Sequence, residues 1–308
     1  MPAPLAIGQI ETYLEQRLPG IIEPQQPHLP HIDQRVPMKV DLDPGVETVK
    51  QIIVEESGNA ELRDGTARDL PISSAVYYDR DRPVRGIWTA VRFSYNEMRR
   101  NDLAVKNGAI DLVDRKLGVA GRALSEAENK IAAWGKGSAG FDGFVNHPEV
   151  TPNDIDTVNI FNPETTSVQI FRHFLEMFRS VRYATSLVVS DNIFAVLASP
   201  RSETDKTTVA QMLLENLRIK GLREIVTDYE LDGQELMANG VREDTDRDRV
   251  VIYQKNPAVI ERHVELPQRA PVEQRDGVTI IPLFKCITPI LVQHPESIGY
   301  FDIPNRAA

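Results

Sequence analysis

The glycine-rich segment 135–140 comes closer to a nucleotide-binding motif than any other part of this chain. It matches the pattern G-x-G-x-x-G, in which a pyrophosphate meets the N-terminus of a helix that opens directly after a strand. Here the segment follows a long helical pattern and leads into a turn, so the required context is missing. We interpret it as a tight loop. A soluble nucleotide-binding enzyme using Gly135 and Gly140 is the less favoured alternative.

Carboxylates and histidines also fail to form a recognisable centre. Asp244, Asp246 and Asp248 imitate the start of a calcium loop, but Arg249 and Lys255 stand where glycine and glutamate are required. One H-x-x-H pair lies in a proline-rich segment that cannot present both rings on one helical face. We therefore expect an exposed charged loop at 244–248, and no catalytic, metal or cofactor site.

Composition narrows the function classes further. The 308 residues include 35 basic and 45 acidic side chains, so the net charge is −10, which argues against a dedicated nucleic-acid-binding domain. The single cysteine, Cys286, cannot form an internal disulfide and is most simply a small buried apolar residue. Neither a secretory leader nor a membrane-spanning run is recognisable. We expect a soluble acidic protein with no membrane partner.

The first 45 residues are predicted to form an extended N-terminal arm. Eight of the 21 prolines fall there, and proline removes a backbone donor and fixes φ. A disordered terminus is the alternative, but apolar residues are too frequent for a solvated tail. We expect these side chains to contact another subunit: Ile21, Ile22, Leu29, Ile32, Val36 and Met38.

Residues 46–93 are predicted to form a long β-hairpin with little core of its own. Its first strand is expected at Val49–Val54 and its return at Val84–Phe93, with turn signals between them. Charges alternate along 79–82, which is typical of a solvated face. The alternative is ion pairing with a neighbouring subunit through five arginines: Arg63, Arg68, Arg80, Arg82 and Arg85.

Helices dominate the middle of the chain and strands its end. Ser94 and Glu97 form a capping box, and apolar residues then recur at helical spacing as far as Trp134, with a break expected near Gly118. Further helices are predicted at 164–184 and 205–219, and strands at 187–189, 224–231, 250–254, 259–266 and 278–292. Without βαβα alternation, this order indicates an α+β fold.

The order of these parts resembles the Hong Kong 97-type capsid fold of tailed-phage major capsid proteins. The turn at Gly143–Asn146 after the long helix is similar to a Gly-Leu-Leu-Asn-like turn of that superfamily. The runs at 248–257, 263–267 and 277–282 resemble one tailed-phage branch of the family. The resemblance implies an arm (1–45), an E-loop (46–93), a peripheral domain with a spine helix (94–163, completed by parts of 250–292) and a mainly axial domain with C-terminal strands (164–308).

The same resemblance implies a structural protein and not an enzyme. Its partners would be further copies of itself, in pentamers and hexamers of an icosahedral shell around double-stranded DNA. Because the chain begins directly with the arm, a separate scaffolding protein is expected, with a decoration or cement protein and a portal as further partners. The expected location is the virion, after assembly in the host cytoplasm. An encapsulin-type compartment, which stores cargo proteins in the same fold, remains the alternative.

Overall fold

The computed structural model of the protein describes residue 29 and residues 35–57, 74–106, 111–137, 140–155, 159–162, 164–200 and 206–305. Within these ranges the strands are β1 (Met38–Val40), β2 (Thr48–Ser57), β3 (Ser74–Pro83), β4 (Arg85–Ser94), β5 (Pro152–Asp154), β6 (Ser186–Val189), β7 (Glu224–Thr227), β8 (Arg247–Tyr253), β9 (Ile260–Val264), β10 (Gln268–Arg269), β11 (Glu273–Arg275), β12 (Val278–Ile287), β13 (Leu291–Val292) and β14 (Ile298–Pro304). The α-helices are α1 (Tyr95–Lys106), α2 (Leu112–Trp134), α3 (Ser167–Ser180), α4 (Asp191–Leu197), α5 (Val209–Leu217) and α6 (Gly233–Ala238). The α+β prediction is confirmed.

A long hairpin is present, but its return strand differs from the predicted one. β2 pairs antiparallel with β3 from Thr48↔Pro83 to Ser57↔Ser74. The segment predicted to return, 84–93, is instead β4 and pairs with β12 along its whole length. Apolar, β-branched composition marks both β3 and β4 as strands, but it does not specify which strand is the partner of β2.

The sheet built on β12, which we call the peripheral sheet after the domain expected there, packs against the long helix α2. β4 and β12 run antiparallel, with Leu283 opposite Thr89. Ala120 and Leu124 of α2 are buried in one cluster with Phe93 of β4 and Leu283 of β12. The predicted apolar stripe therefore faces this sheet, as its helical spacing requires.

The helix break lies earlier than predicted. The capping box is present, since the Ser94 amide donates to Glu97 Oε2 at 2.9 Å and the Glu97 amide donates to Ser94 Oγ at 3.3 Å. The first helix ends at Lys106, and α2 starts after Asp111, whose side chain accepts from the Val113 amide. Gly118 lies inside α2, so the break predicted there is wrong. The Asp111 cap, a stronger signal than a solvent-facing glycine, sets the start.

A second sheet has the strand order β5-β14-β8-β6-β7, and we call it the axial sheet after the domain expected there. All of β6 is buried, and α3 and α5 cover it with Phe174 and Leu213. The predicted helices at 164–184 and 205–219 correspond to α3 and α5, whereas α4, α6 and β14 were not predicted. β6 and β7 are parallel and are connected through α4 and α5, so one β-α-β crossover occurs where none was expected.

The loop predicted to be exposed at 244–248 is only partly so. Asp244 and Asp246 are exposed, but Asp248 is completely buried. Its Oδ1 accepts from the Gly233 amide at 3.0 Å and from Asn305 Nδ2 at 2.8 Å, and its other oxygen accepts from the Ser190 hydroxyl. Asp248 thus joins three loops at one end of the axial sheet, because a buried carboxylate must be saturated with donors.

Candidate interaction surfaces

The β2–β3 hairpin exposes apolar side chains on both of its faces. Ile52 and Tyr77 are 68% and 69% exposed and lie on the same face. Val76 is 57% exposed and lies on the other. Within the described residues, β2 and β3 pair only with each other. An isolated two-stranded ribbon is at best marginally stable in water, so these faces have the character of a surface that another molecule covers.

Ionic contacts fix the base of the hairpin to the turn after α2. Arg82 Nη1 lies 3.1 Å from Asp142 Oδ2, and Arg82 Nη2 lies 3.5 Å from Glu149 Oε1. Arg80 also pairs with Glu149. His147 lies behind this cluster, with its Nε2 3.9 Å from Asp142, and its burial lowers its pKa. The hairpin therefore leaves the body in a direction set by charge pairs within the chain.

Close backbone packing holds the turn that carries Asp142 and Glu149. The amides of Phe144 and Val145 donate to carbonyls in the last turn of α2, both at 2.9 Å. Gly135 ends α2 with φ of 69°, and a Cβ atom there would lie 2.3 Å from the Phe141 carbonyl oxygen. Only glycine fits this position. The glycine pattern is thus explained by the turn, and the segment follows a helix as predicted.

The peripheral sheet leaves one face uncovered by the described residues. Trp88 is 63% exposed and stacks on Phe284 with ring centroids 4.6 Å apart. Neighbouring positions on the same face are Ala90, Pro282 and Cys286. The opposite face packs on α2. An exposed tryptophan stacked on a half-buried phenylalanine, on an apolar sheet face, is a second candidate contact surface.

The end of the arm is part of the chain's own core. Val36 is completely buried, the Tyr253 hydroxyl donates to the Arg35 carbonyl at 2.7 Å, and β1 pairs parallel with β9. The prediction that Val36 contacts another subunit is therefore wrong. Met38 is half-buried against the chain's own Val264 cluster. Leu29 lines a cleft beside Trp134. Ile21, Ile22 and Ile32 lie outside the described residues.

The predicted arginine contacts divide in the same way. Arg82 is 5% exposed and neutralises carboxylates of its own chain, so its assignment to an intersubunit contact is corrected. Arg80 retains partial exposure beside Glu149. Arg85 is exposed, and among the described residues its guanidinium donates to the Val84 carbonyl, at 3.4 Å. Arg63 and Arg68 lie outside the described residues. Arg80 and Arg85 remain predicted intersubunit contacts.

Sequence reasoning missed two buried ionic clusters that hold the sheets and helices together. Glu128 of α2 lies 3.2 Å from Arg262 Nη1 and 2.7 Å from Lys285 Nζ. Arg249 binds Asp302 through two hydrogen bonds of 2.7 and 2.8 Å. The sequence signal for such a cluster is a charged residue on a strand whose other residues are apolar. This signal does not identify the oppositely charged partner, because the partner lies on a distant segment of the chain.

Metal-binding clusters and membrane-spanning helices are not found in the described part of the chain. No group of three or more histidine, cysteine or acidic side chains among the described residues could hold a metal ion, and none of the helices searched there could cross a membrane. Cys286 is half-buried, and burial together with Glu265 raises its thiol pKa to about 11. What stands out chemically is uncovered apolar surface rather than a reactive group.

This chain resembles known proteins both in its sequence profile and in its structure. The sequence profile of the major capsid protein family matches residues 58–303. The capsid of Myoviridae phage XM1 has a similar structure, with a TM-score of 0.71 and 10% identity over 98% of this chain and 100% of that chain. The capsid of a native GTA particle is also similar, with a TM-score of 0.65 and 10% identity over 98% of this chain and 100% of that chain. A virus-like particle from Pyrococcus furiosus has a TM-score of 0.53 and 14% identity over 88% of this chain and 91% of that chain.

No curated protein matches the chain. At identities of 10% and 14% the structural likeness concerns the fold alone. It confirms the Hong Kong 97-type fold expected from the order of the parts.

Proposed function

Because this chain belongs to the major capsid protein family, we propose that it builds the icosahedral head of a tailed bacteriophage around double-stranded DNA. Membership of the family makes the chain a structural subunit of a capsid and places it in the virion. Copies of the chain form pentamers and hexamers, which close into one shell.

The observation that carries the proposal is the uncovered β2–β3 hairpin. Its strands are ten residues long, and apolar side chains emerge from both faces. A neighbouring subunit that covers these faces supplies the burial that the hairpin lacks on its own. Obligate interfaces commonly bury 2,000 Å² or more, and a projecting ribbon provides such area without enlarging the core.

Further partners follow from the same role. A separate scaffolding protein directs shell curvature during assembly in the host cytoplasm, and a portal occupies one vertex. A decoration or cement protein would bind the finished outer surface. The uncovered Trp88 and Phe284 face is the described surface best suited to one of these protein contacts.

An encapsulin-type compartment is the second candidate from the same fold. Support for it is weaker, because the family model that matches this chain is that of major capsid proteins. A nucleotide-binding enzyme is disfavoured by geometry, since Gly135 terminates a helix and packs against the backbone that follows it. A pyrophosphate site needs the start of a helix.

Electron microscopy of the purified recombinant protein, combined with size-exclusion chromatography, tests the proposal. We expect closed shells or capsomers. A compact monomer at all concentrations would contradict a self-assembling capsid subunit. The encapsulin alternative is tested by the genes beside the coding sequence, where a portal or terminase gene indicates a phage and its replacement by a cargo-protein gene indicates a compartment.

A further inference from the structure

We propose that the loops 179–185 and 218–223 of the axial domain form one surface that binds the phosphate backbone of the enclosed duplex DNA. We refer to it as the basic surface. The inference rests on the proposed function for the identity of the ligand, because a phage capsid encloses duplex DNA. The surface itself is defined by topology, charge and exposure.

The two loops meet because each leads into one of two parallel neighbouring strands. β6 and β7 pair with Ser186 opposite Glu224, so the segments before these strands lie at the same edge of the sheet. The Arg223 amide donates to the Thr185 carbonyl at 2.8 Å, which joins the loops directly. Both helices end at this edge: α3 ends at Ser180, within the first segment, and α5 ends at Leu217, directly before the second.

Every charged side chain in the two loops is basic. The sequence contains no Asp or Glu at 179–185 or 218–223, although the whole chain carries a net charge of −10. None of the basic side chains forms an ion pair within the described part of the chain, whereas Arg82 and Arg249 elsewhere are each paired with carboxylates. The exposed cations are Arg179, Arg182, Arg218, Lys220 and Arg223.

Loops whose charged side chains are all basic attract a polyanion more strongly than they attract a protein face with mixed charges. The nearby carboxylate of Glu296 lines the cleft beside Arg182, so the single sign belongs to the two loops themselves. Helix macrodipoles give a partial reason for basic residues at the ends of α3 and α5. That reason extends to Arg179 and Arg218, which lie in or directly after the last helical turn. It does not extend to Arg223, which follows Gly221 and Leu222 on the way into β7.

Exposed apolar side chains accompany the cations. Tyr183 is 76% exposed and has φ of 55°, a backbone conformation uncommon for a residue other than glycine. Ile219 is 93% exposed. A tyrosine hydroxyl beside arginines matches the mixture of donors that contacts phosphate and sugar in protein–DNA interfaces. One such surface per subunit binds weakly, but many copies facing one DNA molecule act together.

The test measures binding of a fluorescein-labelled 20-base-pair duplex to unassembled full-length protein by fluorescence anisotropy at several salt concentrations. The test variant carries Arg182→Gln, Arg218→Gln and Arg223→Gln. The matched control carries Arg99→Gln, Arg100→Gln and Arg115→Gln, which remove three exposed charges from α1 and α2. Circular dichroism and the melting temperature verify that both variants fold.

We expect the test variant to reduce the slope of log affinity against log salt by up to about 2.7, or about 0.9 per lost phosphate contact. The control should leave the slope as it is in the wild type. Equal DNA binding by both variants would overturn the proposal. So would unchanged DNA binding with lost assembly, which would identify the surface as a contact with an acidic face of a second copy.

Micrographs of the wild type without DNA separate this proposal from the proposed function. Shells that form while the test variant binds DNA normally would overturn the basic surface alone. DNA binding through the basic surface by a protein that never forms shells would overturn the capsid architecture and leave the surface in place.

Discussion

The Arg82 guanidinium and the Asp142 carboxylate lie 3.1 Å apart and join two segments that are 60 residues apart in sequence. Arg82 is the penultimate residue of the hairpin strand β3, whereas Asp142 belongs to the turn after α2. The side chain of Arg82 is 7% exposed, so water cannot replace Asp142 as its partner. This pair fixes the position of a ribbon that otherwise projects from the body.

Arg82→Met should destabilise the folded subunit by roughly 1–3 kcal/mol, because it leaves Asp142 and Glu149 without their shared cation. Methionine keeps the apolar stem and removes the guanidinium, with its charge and its hydrogen-bond donors. Urea unfolding of subunits measures the effect. Arg85→Met is the control, since Arg85 is exposed and has no ion pair in the described structure. Equal stability of the two variants would show that the ionic cluster is not stabilising.

Reversing Arg85 to Glu should weaken shell assembly more at low salt than at high salt, with little change in melting temperature. An exposed arginine near an interface contributes through charges that salt screens. Reversal of Arg82 cannot serve this purpose, because it would disturb folding first. Light scattering during assembly at 50 and 500 mM salt is the measurement, with Arg275→Glu on β11 as the control. Unchanged assembly would identify Arg85 as part of a solvated face.

Two truncations test the arm on either side of Arg35, where the continuously described chain begins. Deleting residues 2–34 should leave a folded subunit that assembles poorly. Deleting residues 2–40 should destabilise the subunit as well, because it removes buried Val36 and the strand β1 that pairs with β9. Val36→Ala alone should cost about 2 kcal/mol for its two lost methyl groups.

Thermal unfolding and electron microscopy measure the two effects separately. Normal shells from the 2–34 deletion would contradict an intersubunit role for the arm. Equal melting temperatures of both truncations would contradict the packing of Val36.

Trp88→Thr should weaken assembly while leaving the stability of the subunit nearly unchanged. The indole is 63% exposed, so a subunit loses little burial, whereas a covered interface loses an aromatic anchor. Met237→Thr on α6 is the control, at 47% exposure.

Tryptophan fluorescence gives an independent readout in a Trp134→Phe background, which leaves Trp88 as the single tryptophan. We expect its emission to shift to shorter wavelength when shells form. Emission that stays unchanged on assembly would show that this face is not covered in the shell.

Acidification should destabilise the subunit through two buried histidines. Burial lowers the pKa values of His147 and His173 below the ordinary value of 6.5. The unfolded chain therefore binds more protons below pH 6.5, and the free energy of unfolding falls as pH drops from 7 to 5. His173→Phe should reduce this loss, by at most about 1.4 kcal/mol per pH unit. His294→Phe on the exposed surface is the control, and parallel pH profiles for the two variants would contradict a contribution from His173.

The sequence by itself determined the elements whose signals are local. The Ser94 and Glu97 capping box works over three residues, and the stripe on α2 follows from helical geometry. The strand at 187–189 is continuously apolar and is buried as expected. The order of the parts was sufficient to indicate the fold and the family, which the comparisons confirm, and the exposed hairpin was also predicted.

Only the tertiary structure decided which of these elements meet. Arg35 binds Asp228 across 193 residues, and no local pattern identifies such a partner. The same holds for Val36 in the core, for Asp248 between three loops, and for β12 as the partner of β4. A residue type reports the environment it favours, but its actual neighbours follow from packing and from the saturation of buried polar groups. Val36 and Arg82 therefore look like exposed contact residues in the sequence, but distant segments of the same chain cover both of them.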